Sequence, residues 1–164
     1  MRGQNRIILT ILVASLVLSF LAGNAQATDS KEDEYSVKVS IKVADYLDLD
    51  ADRLEDDILT KFIISVPVAS WRSGVSIVYC LLELPSGQAF RFNILMIGCY
   101  SLLSLTLGWY NTAYEPGWYT FSVSAYIVGN DVPTAGHDTV EFDPPTEGEP
   151  GSPVVSIMEI AVIC

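Results

Sequence analysis

The run Asp48-Leu49-Asp50-Ala51-Asp52-Arg53-Leu54-Glu55-Asp56-Asp57 sets carboxylates at three alternating positions and again at the ninth. Such spacing lets one short loop turn several hard oxygens inward, the donor set that Ca²⁺ takes. Eleven of the chain's twenty Asp and Glu residues fall between Asp29 and Asp57, which concentrates the negative charge around this run. The bland alternative is a solvated acidic loop in which Arg53 pairs with neighbouring carboxylates. The chemistry on offer is cation binding rather than catalysis.

Catalytic constellations are otherwise missing from the sequence. His137 stands alone in the turn-rich stretch Asn130-Asp131-Val132-Pro133-Thr134-Ala135-Gly136-His137-Asp138, and no Gly-x-Ser-x-Gly elbow supplies a nucleophile for it. There is no Cys/His zinc spacing and no phosphate-cradling glycine loop. The acids are numerous, but nothing selects a pair for glycoside hydrolysis. A non-enzymatic protein is expected. Trp71, Trp109, Trp118 and Tyr126 could form an aromatic platform, with Trp118 and Tyr126 the better placed if Tyr119 points inward.

The amino terminus addresses the chain to export. Arg2 and Arg6 precede an apolar run from Ile7 to Leu21, and Ala25-Gln26-Ala27 is an A-x-A cleavage signature. Residues 1–27 are therefore expected to be a signal peptide, although a retained anchor is the alternative. Asn24 occupies the position where a lipoprotein signal needs cysteine, which excludes that lipid anchor. Loss of Arg2 and Arg6 with the leader makes the formal net charge of −11 more negative by two units, and no Lys or Arg follows Arg91. Nucleic acid, whose phosphates demand cations, is excluded as a partner. Secretion, with a cell-surface or periplasmic location as variants, is the expected setting.

The three cysteines leave one over in any disulfide scheme. If Leu84 pairs with Ala89 across a Pro85-Ser86-Gly87-Gln88 turn, Cys80 lies opposite Asn93 and Cys99 opposite Gly74. That offset of six residues, at about 3.3 Å each, far exceeds the roughly 7 Å limit of a bridge unless the strand kinks at Gly98. Pairing of Cys164 with either cysteine is equally open, as are buried free thiols.

The elements that would position the acidic run are strands. Tyr35, Val37, Val39, Ile41 and Val43 alternate with polar residues, and period-two patterning returns in residues 58–68, 75–84, 89–100, 103–109, 119–127, 139–142 and 154–162. With turns such as Glu115-Pro116-Gly117 between them, this predicts an all-β sandwich of seven to eight antiparallel strands over residues 28–143. Residues 144–164 form a Pro/Gly/acidic connector followed by a possible terminal strand. A competing reading takes the uncharged stretch Phe92–Tyr114 as a transmembrane helix, but its second half keeps strict two-residue alternation.

The segment Pro116-Gly117-Trp118-Tyr119-Thr120-Phe121-Ser122-Val123 resembles the sixth strand of immunoglobulin-like, fibronectin type III and PKD-type domains. The resemblance implies a tyrosine corner at Tyr119 and an inward Phe121. The chain departs from immunoglobulin domains in lacking the inter-sheet cysteine pair and a Trp in the third strand. The acidic run in turn resembles the D-x-D-x-D-G-x-x-D calcium loops of integrin-type propellers and thrombospondin-like repeats. That likeness implies side-chain ligands from Asp48, Asp50, Asp52 and Asp56 and a carbonyl from Leu54. An EF-hand is ruled out by Leu59 at its twelfth position, and Arg53 replaces the glycine expected at the sixth. The function that follows is a secreted or cell-surface module for adhesion, structural or binding roles, with calcium as its stabilising ion and a protein or glycan outside the cell as partner. Self-assembly into a filament by strand addition, or a secreted hydrolase, are the alternatives.

Overall fold

In the computed structural model, residues 36–66, 74–128, 134–144 and 151–164 are described. The leader, Tyr35, Trp71 and residues 145–150 of the connector lie outside them. Eight strands run β1 Lys38–Leu47, β2 Asp57–Ser65, β3 Gly74–Glu83, β4 Ala89–Gly98, β5 Leu102–Tyr110, β6 Tyr119–Val128, β7 Thr134–Phe142 and β8 Val154–Ile163. They form two antiparallel four-stranded sheets, ordered β1-β2-β5-β8 and β4-β3-β6-β7. Phe92–Tyr114 is thus the end of β4, all of β5 and their flanking turns, and no helix among the described residues is long and apolar enough to cross a membrane.

Alternation along the strands determines which face each side chain joins. Val78, Cys80 and Leu82 of β3, Leu103, Leu105, Leu107 and Trp109 of β5, and Tyr119, Phe121, Val123 and Ala125 of β6 are buried between the sheets. Phe121 stands at the centre, 5.8 Å from the Trp109 ring and 6.3 Å from Phe62 on β2. Each large apolar side chain buried this way contributes roughly 1.5–3 kcal/mol. The Trp109 Nε1–H donates to Thr60 Oγ1 at 2.9 Å, so the indole is buried without an orphaned donor. Trp109 is therefore core, not part of an aromatic platform.

Three local expectations need correction. The first strand does not alternate strictly, because a bulge between Ile41 and Val43 moves Val43 across from Lys61 on the outer face. The Ile41 N–H turns instead to Asp138 Oδ2 on β7, 2.7 Å away. The β3–β4 hairpin pairs Glu83, not Leu84, with Ala89. Leu84 N–H donates to the Gln88 carbonyl while Gly87 sits at φ 83°, so a three-residue loop with a glycine bulge shifts the register by one. Finally, β7 begins at Thr134, which places His137 on a strand rather than in a loop.

One side of the sandwich is closed and the other is open. Gly136 on β7 lies so close to the Val37 carbonyl that a Cβ there would collide with it, and β1 and β7 meet along this edge. On the opposite side β4 and β8 are both edge strands with no ladder between them. At the start of β6, the Tyr119 hydroxyl accepts from Glu115 N–H at 2.8 Å and donates to the Glu115 carbonyl at 3.1 Å. Replacing Tyr119 by Phe removes both bonds while keeping the ring, and should cost about 1–2 kcal/mol in urea unfolding with an unchanged far-UV spectrum. A loss below about 0.3 kcal/mol would mean that this corner does not hold the β5–β6 connection.

Candidate metal centre

The acidic loop, residues 48–56, joins β1 to β2 and is organised by its own carboxylates. Asp48 accepts from Asp52 N–H and Arg53 N–H at 3.1 and 3.0 Å, Asp50 from Asp52 N–H at 3.1 Å, and Asp52 from Leu54 N–H at 2.8 Å. These contacts bend the chain through two left-handed residues, Ala51 at φ 63° and Arg53 at φ 80°. The sixth position thus has the backbone that favours glycine, although arginine stands there. The Arg53 guanidinium makes no ion pair among the described residues, so the loop is not neutralised by its own cation.

One oxygen each from Asp48, Asp50 and Asp52 lies within 4.8 Å of the others. Oxygens bound to Ca²⁺ at 2.3–2.6 Å are at most about 5 Å apart, so the three can share one ion. Leu54 is half-buried and touches the group through its N–H on Asp52; Asp56 stands outside the three-carboxylate group.

Asp56 carries the most informative environment in the loop. The residue is 1% exposed, and both carboxylate oxygens lack a hydrogen-bond partner among the described residues. Desolvation, then the charges of Asp52, Asp57 and Asp50, push its pKa up against a smaller opposing pull from its own backbone N–H. Asp50 is raised too, by desolvation and by Asp57, Asp52 and Asp48. A buried carboxylate with no donor costs several kcal/mol unless a cation or proton neutralises it.

No protein-family model, curated protein or solved structure matches this chain. The chemistry of the site rests on its own geometry.

Asp57 was not among the residues singled out by spacing, yet it is the anchor. Fully buried at the head of β2, it accepts from Leu49 N–H at 2.6 Å, Asp50 N–H at 3.2 Å and, on its other oxygen, Asn111 N–H at 2.8 Å. The Asp56 carbonyl meanwhile takes the N–H groups of Thr112 and Ala113. The acidic loop is thereby pinned to the β5–β6 turn. Leu49 packs over Gly108 of β5 beside Met158 of β8, in space that a side chain at 108 would fill. No sequence pattern announces Asp57, because its partners are backbone groups up to 54 positions away.

The remaining candidates separate. Trp118 is 64% exposed, while Tyr79 and Tyr126 make an edge-to-face pair, 5.7 Å apart, on the outer face of the second sheet. His137 Nδ1 lies 3.0 Å from Ser124 Oγ on that face, but Asp138 points to the β1 side and bonds Ile41, so among the described residues no carboxylate orients the imidazole. Substituting Asp57 by Asn should destabilise the protein by about 2–4 kcal/mol, since charged acceptors serving backbone donors are lost. Denaturant unfolding checks this, and a loss under about 1 kcal/mol would remove Asp57 from its anchoring role.

Proposed function

We propose that the protein is a secreted, non-catalytic immunoglobulin-like β-sandwich that binds Ca²⁺ in its β1–β2 loop and serves an adhesive, structural or binding role outside the cell. The observation that carries the calcium reading is Asp56, whose buried carboxylate has no hydrogen-bond partner among the described residues and feels the charges of Asp50 and Asp52, two of the three clustered carboxylates. Ca²⁺ would offset the desolvation, and the repulsion among these carboxylates, that raise Asp50 and Asp56. The immunoglobulin-like reading is supported by strand order: in the sheet β1-β2-β5-β8 the first three strands oppose β4-β3-β6-β7 as A, B and E oppose C′, C, F and G, while the last strand, β8, stands in the place of strand D. The Tyr119 corner supports it as well. For a protein or glycan partner, the exposed Tyr79–Tyr126 pair, with Asn93, Ser124 and His137 in the adjoining cross-strand row, offers an amphipathic surface.

Calorimetric titration should give one Ca²⁺ site, and the melting temperature should rise with metal. Asp56→Asn should diminish that rise while making the metal-free protein more stable than wild type at pH 7. The sign follows from linkage: Asp56 binds its proton more tightly folded than unfolded, so its ionised form penalises the fold and the penalty fades as pH falls through its raised pKa. The stability gap between variant and wild type should therefore be widest near neutrality and close as the pH approaches the ordinary carboxylate range. Arg53→Gly should tighten Ca²⁺ binding by relieving left-handed strain and removing a nearby cation. Absence of heat and of any thermal shift at millimolar Ca²⁺ would end the calcium reading.

Filament assembly by exchange of β8 is a second reading, favoured by one feature. This edge strand pairs with β5 alone and exposes Val154, Met158 and Ile163. Size-exclusion chromatography with and without residues 144–164 tests it, since polymer that survives the truncation is incompatible with strand exchange.

A further inference from the structure

We propose that Cys99 and Cys164 form a disulfide that staples the two sheets together on the open side of the sandwich, leaving Cys80 as a buried thiol. The Cys164 thiol donates to the Cys99 carbonyl at 3.3 Å, and both cysteines are exposed. Bond lengths alone then bring the Cys164 sulfur within about 6 Å of the Cys99 Cα. The approach is held by backbone: Ser101 N–H and Oγ–H both donate to the Ile163 carbonyl, and Val66 N–H donates to the Ser101 carbonyl. Extending the Leu102–Ile163 register by one step sets Cys164 across from Ser101, two residues from Cys99. Cys80 faces the core from the middle of β3, and burial pushes its thiol pKa far up, so it neither reaches the pair nor ionises to compete.

Cys99 follows β4 of one sheet and Cys164 follows β8 of the other. The bond would therefore bridge the two edges that share no ladder, opposite the side where β1 and β7 meet. It would also clasp β8, whose only strand neighbour is β5. The chemistry is thiol–disulfide exchange with a small-molecule disulfide such as oxidised glutathione. One cysteine thiolate attacks it and releases a glutathione thiol. The second cysteine displaces the other glutathione, so two protein thiols are oxidised and one glutathione disulfide becomes two glutathione thiols. Supply of such an oxidant in the cell rests on export, whereas the geometry does not.

The test equilibrates the full protein with oxidised and reduced glutathione in EDTA, so that calcium binding and bond formation are read separately. Alkylation and peptide mapping should find one intramolecular Cys99–Cys164 link and one free thiol, Cys80, that reacts only after unfolding. The Cys80→Ser variant should keep the link, and Cys99→Ser and Cys164→Ser should each lose it. Reduction should lower the melting temperature of wild type by on the order of 10 °C and leave that of Cys164→Ser unchanged. Three alkylatable thiols in excess oxidised glutathione, a link through Cys80, or links only between molecules would each overturn the proposal. The wild-type map decides it even where a serine variant fails to fold.

Discussion

The structure hangs on a buried carboxylate. Asp57 enters β2 with no solvent around it, and its two oxygens collect backbone N–H groups from the acidic loop on one side and from the β5–β6 turn on the other. An ionised group can be buried only when donors replace its water, and here the donors belong to the segments that must be held. Once Asp57 is satisfied, the chain direction at 56 is settled. The Asp56 carbonyl goes to Thr112 and Ala113, and its carboxylate is left sealed with no donor of its own. Two adjacent aspartates thus have opposite fates: one is tied into the scaffold and the other is left buried without a partner among the described residues.

That arrangement couples the loop to the far edge of its sheet. Leu49 shares the cover of Gly108 with Met158, and Gly151, ahead of β8, packs on Asn111, whose N–H is held by Asp57. Loop, turn and last strand therefore meet around one point on the first sheet. At the other end of β8, Ser101 and Cys99 receive Ile163 and Cys164. An edge strand with one ladder needs such end contacts, because its inner side chains, Val155, Ile157 and Ile160, bury only partly against the core. The Lys61–Glu159 pair at 3.6 Å adds a partly exposed contact across β5, which contributes little by itself.

The sandwich and most of its strands were legible from period-two alternation, since one face of each strand must leave water whatever its neighbours are. The inward Phe121 and the outward Tyr126 followed from that parity, and the Tyr119 corner from the likeness of Pro116–Val123 to the sixth strand of immunoglobulin-like domains. The errors fell where a single residue changes parity or register. The bulge after Ile41 and the glycine bulge at Gly87 are small backbone events whose cause lies in other strands: Asp138 captures the Ile41 N–H, and hairpin twist favours a left-handed Gly87. The start of β7 was hidden because Thr134-Ala135-Gly136-His137 has little strand preference and is held extended by its pairing with β6.

By itself, then, the sequence determined the all-β class and the positions of most of the strands. It also located the carboxylates of Asp48, Asp50 and Asp52 on one loop, because alternation and local spacing are short-range properties. Only the tertiary structure decided that Asp57 is an anchor, that Asp56 is buried without a partner, and that Cys164 lies beside Cys99. Each of those depends on backbone groups or strand edges distant in the chain, and the physics of burial acts on whatever the fold brings together.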